Sequence, residues 1–90
     1  MISFDSLMQN TNIRSFRILQ DTKCKRQIDD RTFIDEIGVI VKKDEVYDGE
    51  IVKKGDGQIY LFLGYDNRIG YDVYIPVCWN SNRIVNITEV

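Results

Sequence analysis

The chain has 90 residues, of which 43% are hydrophobic and 29% are charged, as is usual for one folded domain, here spanning residues 1–90. These fractions exclude a largely disordered chain, and a net charge of −2 with a sequence pI near 5.0 lacks the basic excess of most nucleic-acid-binding domains. No apolar run approaches the roughly 18 residues that cross a bilayer, and the first residues do not resemble a signal peptide. We therefore expect a cytoplasmic protein without membrane contact.

The kinds of apolar residue favour strands over helices. The chain contains thirteen Ile and eight Val, but only four Leu and no Ala. Ala and Leu are strong helix formers, whereas β-branched side chains fit a pleated sheet. We predict a mainly β fold, either β or α+β. Its five or six short antiparallel strands would form a small barrel or rolled sheet after a short N-terminal helix.

The first third of the chain mixes several signals. Residues 1–10 are predicted to form the short helix, which Ser3 can cap. Residues 13–20 alternate as expected for a strand, and a turn follows. From Cys24 to Arg31 the chain is polar and charged, which indicates a loop.

The next segment allows two interpretations. Residues 29–38 could form a helix that carries Phe33, Ile34 and Ile37 on one face and ends at Gly38. The alternative is a strand that begins at Thr32.

The remaining residues predict β structure. Gly55-Asp56-Gly57 separates two alternating segments and is the strongest hairpin signal in the chain. Pro76 cannot donate a ladder hydrogen bond, so its strand either lies at a sheet edge or ends there. Further strands are predicted at residues 37–43, 50–54, 58–63, 71–78 and 83–88, with turns at residues 42–45, 64–70 and 80–82.

Part of this pattern resembles SH3-like small β-barrels. The resemblance covers about forty residues: residues 50–56, the aromatic-rich strands that follow, and Tyr74-Ile75-Pro76. It implies a barrel topology only. SH3 domains that bind peptides use paired tryptophans, whereas Trp79 is the single Trp of this chain and follows the Pro. Polyproline binding is therefore not expected, and fold analogy alone does not define a function.

The residues offer little catalytic chemistry. The chain has no His, which removes the commonest general base and most zinc sites. Cys24 lies between two lysines and is the one candidate nucleophile, but we interpret Cys24 and Cys78 as reduced structural thiols. The adjacent carboxylates at 29–30 and 35–36 diverge and do not form a metal site alone. We expect no catalytic residue, no metal site and no cofactor.

Two sets of residues are candidates for binding. The set proposed to bind a protein combines carboxylates with aromatic rings: Asp44, Glu45, Asp48, Glu50, Tyr60, Phe62 and Tyr74. The alternative set would bind nucleic acid through cations: Lys23, Lys25, Arg26 and Arg31. A third interpretation is structural, in which the aromatic rings form a second small core covered by the N-terminal helix.

We therefore expect a non-enzymatic protein that acts through a protein–protein interface. A phage or mobile-element accessory protein that inhibits a host factor would fit this description. The alternatives are a nucleic-acid-binding small β-barrel and a His-free ribonuclease toxin of the SH3-like barrel type. The expected partner is another protein, and a free strand edge near Pro76 would allow a homodimer.

Overall fold

The computed structural model describes residues 13–64 and 73–90, and every regular element among them is a β-strand. The strands are β1 (Arg14–Ile18), β2 (Thr22–Asp29), β3 (Thr32–Val41), β4 (Val46–Lys53), β5 (Ile59–Phe62), β6 (Val73–Pro76), β7 (Trp79–Asn80), β8 (Arg83–Ile84) and β9 (Ile87–Glu89). Seven strands form one antiparallel sheet in the order β3-β2-β6-β5-β4-β1-β9, and β7 pairs with β8. The prediction of a mainly β fold is confirmed.

The number of strands and the closure of the sheet differ from the expectation. We predicted five or six strands, whereas the described residues form nine. Within this part of the chain, β3 and β9 each pair with one neighbour, so the sheet is not closed into a barrel. The helix predicted at residues 1–10 lies outside the described residues.

β2 and β3 form a long hairpin where the sequence suggested other structures. The loop predicted over residues 24–31 is wrong, because most of it belongs to β2. The helix over residues 29–38 is also wrong, and the alternative strand from Thr32 is confirmed.

Two ion pairs join these strands side by side. Lys25 Nζ lies 3.1 Å from Asp35 Oδ1, and Arg26 Nε lies 2.5 Å from Glu36 Oε2. Asp35 lies directly opposite Lys25, and Glu36 lies diagonally across from Arg26. Opposite charges in such cross-strand pairs stabilise a strand pair. Further along β3, Gly38 adopts a φ of +79°, where the register shifts.

The hairpin predicted around Gly55-Asp56-Gly57 is confirmed by β4 and β5. The Gly57 N–H donates to the Lys54 carbonyl (2.9 Å), and Gly57 has a φ of +82°. The Gln58 N–H donates to Asp56 Oδ1 (2.9 Å). The turn therefore depends on a glycine that can adopt positive φ and on an Asp that accepts from the backbone.

β6 ends at Pro76, which is one of the two predicted outcomes. It lies between β2 and β5, so it is an interior strand of the described sheet. The free edge expected near Pro76 was therefore wrong. The homodimer inferred from that edge stays a prediction without this support.

The last predicted strand, residues 83–88, is divided into β8 and β9 by a buried Asn86. Asn86 Nδ2 donates to the Pro76 carbonyl (2.8 Å), and Asn86 Oδ1 accepts from the Cys78 N–H (2.8 Å). Asn86 Nδ2 also lies 3.4 Å from Thr22 Oγ1. One amide thus links the ends of β2, β6 and the final strands.

One hydrophobic core, mostly of aliphatic side chains, fills the concave side of the sheet. Strands from opposite parts of the sheet order contribute to it, so the sheet must curve around these side chains. Its largest fully buried members are Phe16, Ile18, Leu61, Leu63, Ile75, Ile84 and Ile87. Burial of such side chains supplies most of the folding free energy, at about 1.5–3 kcal/mol each.

Candidate functional site

β4 carries two of the predicted acidic residues on its outer face. Tyr47 and Ile51 point into the core, so Asp48 and Glu50 point to the opposite side. β5 pairs with β4 such that Phe62 lies directly opposite Glu50. Asp48, Glu50 and Phe62 therefore share one patch, which we call the acidic surface.

The two carboxylates of the acidic surface have different environments. The Ser15 hydroxyl donates to Asp48 Oδ1 at 2.5 Å. Glu50 forms no hydrogen bond or ion pair through its side chain with any other described residue. Its negative charge is consequently not neutralised by a neighbour in this part of the chain.

Asp44 and Glu45 lie apart from the acidic surface, in the turn that precedes β4. Glu45 Oε1 accepts from the Lys42 N–H at 2.5 Å, and Asp44 has a φ of +75°. Glu45 and Glu50 are five positions apart in the chain, roughly 16 Å at about 3.3 Å per residue. The structure therefore divides the predicted acidic set into two groups.

The predicted aromatic residues Tyr60, Phe62 and Tyr74 pack together on the outer face, whereas the N-terminal helix that the third interpretation placed over them lies outside the described residues. Tyr60 is 3% exposed and Tyr74 is 5% exposed. Phe62 stacks on Tyr74 with ring centroids 4.9 Å apart, and Phe33 of the β2–β3 hairpin stacks on Tyr60 at 4.2 Å. These four rings form an aromatic cluster, and Phe33 is the covering residue that sequence reasoning missed. The signal was the alternative strand from Thr32. In its pairing with β2, Phe33 lies opposite Gln27, which in turn accepts a hydrogen bond from Tyr74 of the cluster.

Hydrogen bonds fix both buried phenols of the cluster. The Tyr60 hydroxyl donates to Asp56 Oδ2 (2.6 Å), and the Tyr74 hydroxyl donates to Gln27 Oε1 (3.0 Å). Burial, followed by the bond to the Asp56 carboxylate, raises the pKa of Tyr60 above its ordinary value. Tyr60 is therefore neutral at physiological pH, and its ring is a structural element.

The tip of the β2–β3 hairpin rests on the β4–β5 turn. A Cβ placed on Gly55 would lie 2.5 Å from the Asp30 carbonyl oxygen and 3.4 Å from Arg31 Cγ. Only a residue without a side chain allows this approach. Gly55 therefore allows the hairpin tip to pack against the turn, which places Phe33 on Tyr60 within the aromatic cluster.

The predicted basic residues lie in and beside β2 and do not form one cluster of free cations. Lys25 and Arg26 are paired with Asp35 and Glu36, and the Arg26 guanidinium lowers the pKa of Glu36. Within the described part of the chain, Lys23 and Arg31 form no ion pair. Nucleic-acid binding at this set stays a prediction, although half of its charge is already neutralised.

A groove of about 400 Å³ lies between the hairpin tip and the β4–β5 turn. Its lining combines cations, one carboxylate and apolar groups: Lys25, Arg31, Thr32, Phe33, Asp56, Gln58, Ile59, Tyr60, Pro76 and Val77. Sequence reasoning missed this groove because it placed the tip residues in a loop or helix, away from the turn that they contact.

Both cysteines are free thiols, and Cys24 is buried while Cys78 is partly buried. Burial raises the pKa of Cys24 to about 11, and burial also raises the pKa of Cys78. Each thiol is therefore protonated at neutral pH. Among residues 13–64 and 73–90, no three His, Cys, Asp or Glu side chains gather as metal ligands would. The described residues also include no helix of a length and apolarity that would cross a membrane.

Comparison with known proteins gives no relative for this arrangement. No family model, no curated protein and no solved structure matches the chain.

Proposed function

We propose that this chain is a non-enzymatic binding protein whose acidic surface contacts another protein. The observation that carries the proposal is the β4–β5 register, which places Glu50, whose carboxylate no described residue neutralises, directly opposite Phe62. A ring flanked by carboxylates suits a partner that offers an apolar contact surrounded by Lys or Arg. Inhibition of a host factor by a phage or mobile-element protein is the biological role that we infer for such a surface.

The fold that we infer is an SH3-like roll. Its support is an antiparallel sheet around one hydrophobic core, in which β4 and β5 form a hairpin and β6 ends at Pro76. This inference concerns topology, and the proposed interface does not use a polyproline groove.

The proposal is tested by affinity capture from a bacterial lysate, with and without nuclease treatment. We expect a stoichiometric protein partner that survives nuclease. Glu50→Lys should weaken its binding at least tenfold, because it places a cation where the partner's cations approach. Asp30→Lys is the matched control, because it makes the same change of charge at the hairpin tip and should leave the affinity within twofold.

Three outcomes would contradict the proposal. Capture that disappears with nuclease would favour the nucleic-acid alternative at Lys23, Lys25, Arg26 and Arg31. A partner whose affinity is unchanged by Glu50→Lys would place the interface elsewhere. Cleavage of RNA by the purified protein without added metal would favour the ribonuclease alternative instead.

A further inference from the structure

The groove between the hairpin tip and the β4–β5 turn has features of a ligand site that are independent of the acidic surface. Its volume of about 400 Å³ falls within the roughly 300–1,000 Å³ typical of ligand sites. The floor is apolar and includes Ile59, Pro76 and Val77, while polar groups stand at the rim. Sites of this kind use few polar groups to orient a ligand that also buries apolar surface.

Arg31 is the group at the rim that is available to a ligand. Its guanidinium forms no hydrogen bond or ion pair with any other described residue. Its stem passes close to Gly55, since a Cβ there would lie 3.4 Å from Arg31 Cγ. The stem is thus positioned by the turn, and less rotamer entropy is lost when a ligand binds.

The other charged groups of the lining already have partners. Lys25 is paired with Asp35, and Asp56 accepts hydrogen bonds from the Tyr60 hydroxyl and the Gln58 N–H. Arg31 is therefore the one charged side chain of the lining that has neither a hydrogen-bond nor an ion-pair partner among the described residues. A ligand that complements it must present an anionic group.

The remaining features distinguish a peptide carboxylate from a nucleic-acid phosphate. Tyr60 is 3% exposed and stacks on Phe33, so it offers no open face to a base. Asp29 and Asp30 directly precede Arg31 at the tip and would repel the successive phosphates of a nucleic-acid strand. A single carboxylate next to an apolar side chain requires one cation and an apolar floor, and the groove provides both.

We infer that this groove binds an acidic peptide segment of a partner protein, with Arg31 holding a carboxylate and the apolar floor receiving a neighbouring side chain. The planar guanidinium can donate two parallel hydrogen bonds to a carboxylate. The inference does not depend on the acidic surface, which would contact a basic partner through the outer face of β4.

The test is selection from a display library of random eight-residue peptides on the immobilised protein. We expect enrichment of peptides with Asp or Glu next to an apolar residue. A dye-labelled peptide from that pool should lose at least tenfold in affinity with Arg31→Gln, which keeps Cβ and Cγ beside Gly55 and removes the cation. Lys23→Gln is the matched control, because it removes the same charge outside the groove and should change the affinity less than twofold.

The same variants distinguish the possible failures. A pool without acidic enrichment, or acidic peptides that bind Arg31→Gln as tightly as the parent, would overturn the inference. Arg31-dependent binding of a labelled single-stranded oligonucleotide, with no acidic peptide bound, would assign the groove to nucleic acid and overturn it too. Because Glu50→Lys leaves the groove intact, loss of the lysate partner in that variant and loss of peptide binding in Arg31→Gln report on separate sites.

Discussion

The buried thiol of Cys24 makes the stability of the fold depend on pH in the alkaline range. Burial raises its pKa from 9.0 to about 11, so folding favours the protonated form. A group with a raised folded-state pKa contributes stability that is complete below its unfolded pKa and is lost as the pH rises through the folded value. We expect the free energy of unfolding to fall between pH 9 and 11.

Chemical denaturation at several pH values measures this dependence. Cys24→Val removes the thiol while it retains apolar volume, so its unfolding free energy should fall less steeply in the same pH window. Part of the slope should persist in Cys24→Val, because the pKa values of Cys78 and Tyr60 are also raised. Equal slopes for Cys24→Val and the parent would show that the thiol does not contribute.

Asn86 is a buried polar residue whose side-chain amide holds the segment after β6 against the final strands. Asn86→Ala leaves the Cys78 N–H and the Pro76 carbonyl without their partner in a buried site. We expect a loss of about 2–4 kcal/mol in the free energy of unfolding, measured with urea, because each unsatisfied group costs about 1–3 kcal/mol. Asn80→Ala, an exposed Asn nearby, should cost under about 0.5 kcal/mol. Similar losses in both variants would contradict this role.

At the scale of elements, the contact between the hairpin tip and the β4–β5 turn determines whether the aromatic cluster stays covered. Gly55→Ala places a Cβ 2.5 Å from the Asp30 carbonyl, so the tip must move away. We expect a loss of about 1–3 kcal/mol, as for other overpacked contacts, and faster hydrogen exchange along β2 and β3.

Gly57→Asn is the matched control for this prediction. Gly57 has a φ of +82°, which Asn tolerates better than most residues, and a Cβ there meets no atom within 4 Å. This variant should leave hydrogen exchange in the β2–β3 hairpin near that of the parent. Faster exchange in both variants would show that the turn itself, rather than the Gly55 contact, was disturbed.

The sequence predicted some elements well because their signals are local. Gly55-Asp56-Gly57 and the alternation of Ile59, Leu61 and Leu63 identify a hairpin and its buried face without knowledge of the rest of the fold. The turn over residues 80–82 is equally local, since Ser81 and Asn82 both adopt positive φ there.

The β2–β3 hairpin was harder to predict because its register is irregular. From Lys23 to Lys25 the chain advances two residues, while the paired residues of β3 run from Ile40 to Asp35, which is five. The extra residues around Gly38 interrupt the period of two that identifies a strand. Phe33 and Ile34 consequently resembled a helical face.

At the scale of the whole molecule, the candidate surfaces could not be predicted from local sequence patterns, because they are formed by contacts between residues far apart in the chain. The alternation along β4 could place Asp48 and Glu50 on one face, but the approach of Phe33 to Tyr60 requires the β2–β3 hairpin to fold over the sheet. The same approach forms the groove and positions Arg31. Composition predicted the β fold, whereas this long-range packing determines which residues remain available to a partner.

The central strands of the sheet are covered on both sides, by the aliphatic core and by the aromatic cluster. Ile59 to Leu61 and Val73 to Ile75 are all buried, with alternate residues belonging to different cores. These strands have almost no position at which a substitution would be neutral. We therefore expect tolerated substitutions mainly outside β5 and β6. A new binding specificity would have to be engineered on the other strands and turns, with β5 and β6 kept as the scaffold.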